Sequence, residues 1–269
     1  MSTAMPPVGP AADRAAGGAV GTSGGVQSLG RAFDVLELMA AADGEIALSR
    51  LAEESGLPGP TIHRIVRTLV ARGYVLQLPS RRYMLGPRLI GLGAAARASV
   101  EAWASPPLHT LAEETGETAN LAMLDLDRVV YVAQVPSTRH TMRMFTEVGR
   151  RVSAHCTGVG KALLAQLPDD DVRRLMTVAG MPALTTHTIT DAGRMLEELA
   201  QIRERGYAVD DGEQELGVRC VAVAVPGTRG TAVSVSGPDS RVTHDAVPSL
   251  AEVLQSAARN LGGREASRG

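Results

Sequence analysis

Aromatic residues are scarce in this chain: one Trp, two Phe and four Tyr among 269 residues. With 44% of the sequence hydrophobic, the core must be built from Ala, Val, Leu and Met. Cysteine is almost absent. Cys156 and Cys220 form no CxxC pair and no disulfide framework, which points to a reducing, cytoplasmic setting. Lysine occurs once, as Lys161. No stretch approaches the roughly 18 uninterrupted apolar residues that a membrane helix needs. No secretory leader is expected: Asp13 and Arg14 interrupt the start, and AAGGAVGTSGG is too small and glycine-rich for an apolar leader core. Residues 1–25, rich in Gly, Ala, Pro and Ser, read as a disordered tail. There is no internal repeat, no GxSxG elbow and no HExxH pair.

The net charge of −2 argues against a uniformly basic coat for nucleic acid. It conceals an asymmetry. Residues 26–88 carry eight basic and six acidic side chains, whereas 104–269 carry 17 basic and 21 acidic. Residues 58–88 hold six arginines and no acid at all.

Local patterns around that span describe a compact motif. Ser28 can cap a helix running from Leu29 to about Ala42, with Leu29, Phe33, Leu36 and Met39 or Ala40 on one face. The DGE turn at 43–45 breaks it. Ser49 can cap the short helix LSRLAEES, and Gly56 ends it. Leu57-Pro58 forms a tight corner, and Pro60 suits the first position of a third helix. On a helical wheel Ile62, Ile65, Val66, Leu69 and Val70 share one face, while Arg64 and Arg67 lie opposite, flanked by His63 and Thr68. YVLQL, a PSR turn and RYMLG read as a two-stranded hairpin tipped by Arg81 and Arg82. Helix, short helix, tight turn, helix and hairpin make a winged helix-turn-helix.

An outward arginine face is ordinary on an amphipathic helix. Here it is of one sign, has no acid at i±4 to pair with, and follows a corner that sets two helices at a steep angle. Arginine can bond guanine bidentately in the major groove, and neighbouring groups clamp phosphates. The candidate DNA-contacting set is Ser49, Thr61, His63, Arg64, Arg67, Thr68, Arg81 and Arg82.

Residues 87–103, PRLIGLGAAARASVEAW, read as a helix whose small residues suit close packing in a linker or a dimer seam; Leu89, Ile90 and Leu92 are its apolar cluster. Beyond it, strand-like ANLAML, RVVYVAQV, YAVDD, VRCVAVAV and TAVSVSG are interspersed with helical GKALLAQL, DDDVRRLM, 192–206 and 249–261. That mixture implies a sheet with helices packed on it.

VQSLGRAFDVLELMA, LSRLAEESGLPGPTIHRIVRTLVARGYV, YMLGPRLIGLG, TGETANLAML, HCTGVGKALLAQL, TITD, RERGYAVDDGEQELGVRCVAVAV and SVSGPDSRVT, eight blocks in order between Val26 and about Gly262, together resemble the IclR family of bacterial transcriptional regulators. Gly59 and Pro60 depart from the polar or basic residue and serine usual before the recognition helix, and PGTRG after Val225 is a shorter loop than usual. The resemblance implies an α+β fold: a winged helix-turn-helix at 26–86, a linker helix at 87–103 and a GAF/PAS-like effector-binding domain at 104–263, with tails at 1–25 and 264–269. It implies a pocket formed by Thr157, Gly158, Val159, Asp210, Val218, Cys220, Ser234 and Ser236. A glycine turn opening a helix presents amides suited to an anion, and Ser234 and Ser236 share a strand face. Asp210 would accept a hydrogen bond from a ligand hydroxyl or order its turn.

GVGK is not a phosphate loop, since the required glycine and Ser/Thr positions hold His155 and Ala162. His155, Cys156 and Cys220 follow no metal-ligand spacing, and adjacent His and Cys on an extended segment point apart. No enzyme activity, metal or cofactor is expected. The expectation is a regulator of double-stranded operator DNA, working as a homodimer or homotetramer without a membrane and controlled by a small organic acid. The alternative is a ligand sensor acting through protein partners, for which the acid-free arginine span would be superfluous.

Overall fold

The computed structural model describes residues 26–42, 44–140, 147–228 and 230–266. The expected tail at 1–25, Asp43 of the first turn, Arg229 of the PGTRG loop and the last three residues lie outside them. The chain divides between Pro87 and Arg88 into two compact units.

The first unit holds α1 (Gln27–Ala41), α2 (Leu48–Ser55), α3 (Gly59–Ala71), β1 (Val75–Gln77) and β2 (Tyr83–Leu85). Its core is Val35, Met39, Ile46, Leu51, Ile62, Val66, Leu69, Val75 and Tyr83. Gly56 adopts the left-handed conformation that closes α2. β1 and β2 pair antiparallel, and Ile46 bridges to Tyr83 through two backbone bonds of 2.8 Å, which pins the hairpin to the helices. This is the expected winged helix-turn-helix.

Three local expectations are corrected. Helix α1 begins at Gln27 behind Val26, and Ser28 lies inside it rather than capping it. Its buried side is Val35 and Met39, while Leu29 and Phe33 are each 55% exposed. The reason is geometric: only its C-terminal turns reach α2 and α3. Ser49 is also no cap, because α2 starts at Leu48 behind Ala47. Pro58 stands at the N-cap of α3, so Pro60 is the second helical residue, still within the turn whose N–H groups lack helical partners.

The second unit opens with α4 (Arg88–Thr115). It is longer than the expected 87–103 and runs through Pro106 and Pro107. Proline disfavours a helix interior, but Ala104, Pro107, Leu108, Leu111 and Ala112 are buried against the sheet, and this packing carries the helix onward. The strands β3 (Thr118–Asp125), β4 (Arg128–Val135), β5 (Arg151–Ser153), β6 (Ala208–Asp211), β7 (Val218–Ala224) and β8 (Thr231–Pro238) form one antiparallel sheet in the order β5-β4-β3-β8-β7-β6. Between β5 and β6 lie α5 (Gly158–Leu164), α6 (Asp169–Ala179) and α7 (Ala192–Arg205); α8 (Val247–Ala266) ends the described chain.

Two hydrophobic layers sandwich this sheet. The second half of α4 and α8 cover one face through Leu108, Leu111, Leu254 and Leu261, meeting Leu121, Val221, Val233 and Val235. Helices α5, α6 and α7 cover the other through Val159, Leu163, Val172, Met195 and Leu199. The first half of α4 packs little: residues 90–99 are all exposed, with Ile90 at 74%.

One irregularity matters for the site. The β3–β4 register slips between Leu121 and Ala122, so Leu121 faces Ala133 while Ala122 faces Tyr131. Val132 is the extra residue of this β-bulge. Strict alternation would put Tyr131 and Gln134 on opposite faces. The bulge places both on the face covered by α5.

Candidate functional sites

Two places gather the residues singled out by the sequence. The first is the outer face of α3. Ile62, Val66 and Leu69 are buried and Ile65 and Val70 half-buried, which fixes the rotation of the helix. His63, Arg64, Arg67 and Thr68 are therefore exposed, and Thr61 is half-buried near the helix start. Among the described residues no carboxylate pairs with Arg64 or Arg67. The Thr68 hydroxyl donates back to the Arg64 carbonyl at 2.9 Å. Ser49 lies exposed on α2.

The wing is less free than its sequence suggests. Arg82 donates to the Glu45 carbonyl at 2.9 Å and sits 3.6 Å from its carboxylate, while Ser80 donates to that carboxylate at 3.2 Å. An acid outside the arginine span thus holds one of its members to the hairpin base. Arg81 is exposed and occupies the left-handed region, with φ of 62°, at the hairpin turn.

The second place is the sheet face beneath α5. Strand register sets Ser236 beside Thr118 and Cys220, Cys220 beside Asp210, and Ser234 beside Asn120 and Ala222. Gln134 is opposite Asn120. Where a sheet covered by a helix would normally bury aliphatic side chains, this one buries Asn120, Ser234, Ser236, Cys220 and Asp210. Asn120 Nδ2 donates to Ser234 Oγ and Ser236 Oγ, each at 3.4 Å, and Gln134 Nε2 donates to Asn120 Oδ1 at 3.0 Å. Val218 shares the Cys220 side of β7 and is half-buried.

Helix α5 crosses this row closely because its first residues are glycines. A Cβ on Gly158 would lie 3.0 Å from Cys220 Sγ, and one on Gly160 would strike the Ala154 carbonyl at 2.2 Å. Thr157 caps the helix: its hydroxyl accepts from the Gly160 amide at 3.2 Å and donates to the Ser153 carbonyl at 3.0 Å. Val159 points into the hydrophobic layer. Thr157 and Val159 thus have structural employment for their side chains, which leaves only their backbone to face a ligand.

Asp210 orders the following turn. Its Oδ1 accepts from the amides of Glu213 at 2.8 Å and Gln214 at 3.3 Å. Burial nevertheless pushes its carboxyl up to about 7. Cys156 donates to Gln214 at 3.2 Å. Burial, with Asp210 adding to it, raises the Cys156 thiol to about 12 and the Cys220 thiol to about 11. Protonated thiols are poor nucleophiles and poor metal ligands. His155 bonds the Pro182 carbonyl at 3.1 Å, and burial lowers its pKa. Among the described residues no group of three or more His, Cys, Asp or Glu is placed to hold a metal.

Sequence reasoning missed four members of this neighbourhood. Asn120, within TGETANLAML, and Gln134 were given no role, though a polar pair in two largely apolar strands is a signal. Tyr131 joins them only through the bulge; burial, then Cys220 and Asp210, raise its phenol well above the usual range. Lys161, read only as a failed phosphate-loop lysine, is fully buried and pairs with Glu213 and, at 3.6 Å, with Glu198. A cleft of 560 Å³ lies elsewhere, on the opposite side of the sheet between α4 and α8, where Pro106, Thr110, Arg259 and Asn260 line it. It holds none of the residues of the polar row.

Both units resemble domains of known proteins. Residues 28–79 match the IclR helix-turn-helix domain, and residues 93–262 match the bacterial transcriptional regulator IclR C-terminal domain. The chain is 37% identical over 247 residues to the transcriptional repressor IclR of Escherichia coli K12, covering 89% of this chain and 90% of that protein. A crystal structure of an IclR transcriptional regulator from Alicyclobacillus acidocaldarius aligns with a TM-score of 0.74 at 32% identity, covering 89% of this chain and 99% of the other. An IclR homologue from Microbacterium hydrocarbonoxydans, crystallised with 4-hydroxybenzoate, shares the fold with a TM-score of 0.70 at 22% identity, covering 89% of this chain and 99% of its own.

Proposed function

The chain belongs to the IclR family of bacterial transcriptional regulators, and we propose that it is a repressor which reads operator DNA through α3 and is released or retained by a small carboxylate bound on the sheet beneath α5. The observation that carries the DNA half is the outer face of α3, where Arg64 and Arg67 are exposed and unpaired on a helix whose rotation the core has fixed. In a major groove they can bond base edges, with Thr61 and His63 near the helix start beside them. Arg81 at the wing tip adds a sequence-independent phosphate contact.

The effector half rests on the polar row. Ser234, Ser236, Cys220 and Asp210 are brought together, with Gly158 directly above Cys220. Two hydroxyls can bond a carboxylate, and the amides opening α5 add donors. Asp210, with its raised pKa, can remain protonated near neutral pH and so tolerate an anion. The relative crystallised with 4-hydroxybenzoate shows an organic acid bound by that protein, which supports the same ligand class here.

Operation as a homodimer or homotetramer belongs to this reading. Leu29 and Phe33 on α1, and Ile90 and Leu92 on α4, are exposed apolar side chains within their own units. Gly91 and Gly93 meet nothing within 4 Å, which suits close approach of a second helix. An effector would then shift the population between arrangements of the DNA-reading units.

The test has two arms. Duplexes selected from a random pool by the purified chain are used in anisotropy titrations against unselected duplex. A preference lost in an Arg64→Ala/Arg67→Ala variant supports DNA reading through α3; unaltered binding removes α3 as the reader. Organic acids are then screened by thermal shift and tested for their effect on that duplex. An acid that changes DNA binding in the wild type but not in Ser234→Ala supports the sheet site.

A further inference from the structure

The four side chains Gln134, Asn120, Ser234 and Ser236 have a direction, and the direction selects the ligand. Gln134 Nε2 donates to Asn120 Oδ1, which leaves Asn120 Nδ2 aimed at both serines. An amide nitrogen has two hydrogens and no acceptor capacity. Each serine oxygen must therefore accept at that contact, and its own hydrogen is free to be donated elsewhere. Ser236 lies opposite Cys220 in the strand register and Ser234 one pair further along the same face, opposite Ala222, and the neutral Cys220 thiol is a weak acceptor. In the buried row, two hydroxyl hydrogens are thus left for a ligand that is a good acceptor.

We propose that Asn120, locked by Gln134, is a specificity-determining positioning residue that orients both serine hydroxyls as donors, so that the site takes a carboxylate and rejects its neutral amide. This deepens the effector-site reading and rests on it. Asn120 need not touch the ligand. Its amide could be turned over without loss of volume, and the serines would then donate to Oδ1 and present lone pairs. The site would accept an N–H group and lose its preference for an anion. Gln134, half-buried at the edge of the row, holds the amide in the donor orientation.

The experiment uses two matched probe pairs, acetate with acetamide and lactate with lactamide, titrated into the full chain and followed by calorimetry and ligand-observed NMR. Wild type is expected to favour the acid at least tenfold in each pair, and Ser234→Ala to weaken acid binding. Gln134→Glu cannot donate to Asn120 Oδ1 but can accept from Nδ2, so it turns the amide over. It should shift the preference at least tenfold towards the amide. A new charge could repel an acid on its own account, so the same change is made in an Asn120→Ala background, where there is no amide to turn. The shift there should be under twofold. Equal shifts in both backgrounds, or no shift in Gln134→Glu, overturn the relay while leaving the site standing. No acid bound by wild type, or binding that Ser234→Ala leaves unchanged, overturns the effector site and the relay with it.

Discussion

Helix α3 and helix α5 put cations to opposite uses. On α3, Arg64 and Arg67 stand in solvent without an acid, and the helix below them is anchored by Ile62, Val66 and Leu69. On α5, every residue from Gly158 to Leu164 is buried, and Lys161 is enclosed with Glu213, near Glu198, which in turn holds Arg205 at 2.8 Å. An exposed charge without a partner loses little by staying hydrated and gains by meeting a polyanion. A buried charge is tolerated only when it is neutralised where it stands. In the proposed function the charges of α3 serve recognition, whereas that of α5 is neutralised within the fold.

The largest effect is expected at Lys161. Lys161→Met would leave Glu213, whose Oε2 already lacks a hydrogen-bond partner, as an uncompensated buried carboxylate. Loss of about 3–5 kcal/mol is expected in urea unfolding, whereas Arg64→Ala or Arg67→Ala should leave the unfolding midpoint almost where it is. A Lys161→Met/Glu213→Gln double variant should recover much of the loss. If Lys161→Met unfolds as the wild type does, the buried pair is not holding this layer.

The arginines supply the next effect, in binding and not in stability. Arg64→Ala and Arg67→Ala should each weaken a selected duplex by about 1–3 kcal/mol if they read a base. Arg81→Ala should weaken all duplexes alike and flatten the salt dependence. Arg82→Ala is expected to act partly through the hairpin, because Arg82 is tied to Glu45. Anisotropy at several salt concentrations separates these outcomes, and equal losses on selected and unselected duplexes would reassign Arg64 and Arg67 to phosphate.

The effector site should respond to pH through Asp210. A carboxylate ligand favours its protonated form, so binding takes up a proton as pH rises through about 7. Affinity for an acid should then fall by up to about tenfold per pH unit above that value, and Asp210→Asn should flatten the profile. The same raised pKa gives folding the opposite sign to an ordinary ion-paired carboxylate. The folded chain holds the proton more tightly, so this group's contribution to stability declines as pH rises from about 4 towards 7. A pH-independent affinity in wild type would remove Asp210 from contact with the ligand's charge.

Glycine gives the smallest contrast on one helix and a larger one on the other. Gly59 at the start of α3 has no atom beyond its chain neighbours within 4 Å of a built Cβ, but the Pro60 ring disfavours a helical residue with a Cβ before it, so Gly59→Ala should change stability by no more than about 1 kcal/mol. Gly160→Ala meets the Ala154 backbone and should lose about 1–3 kcal/mol. Thermal unfolding of the two variants reads this directly.

Helix α3 follows from local periodicity alone. Its apolar spacing of three and four residues leaves one rotation that buries Ile62, Val66 and Leu69, and the arginines follow. Local periodicity also determined the alternation of Ser234 and Ser236, and of Val218 and Cys220, because a strand has a period of two. Elsewhere contacts between distant parts of the chain override the local pattern. Pro106 and Pro107 argue for a helix end, yet burial against the sheet carries α4 to Thr115. Ser28 and Ser49 have the chemistry of caps but lie inside helices that begin one residue earlier, at Gln27 and Leu48. Tyr131 and Gln134 are three residues apart and share a face only because Val132 bulges out of register. Lys161 is a charge in an otherwise small, apolar helix, and its acids lie 37 and 52 residues further along the chain. Local periodicity reports which side of an element seeks burial. Which distant groups meet there depends on strand pairing and on contacts made only when the sheet closes.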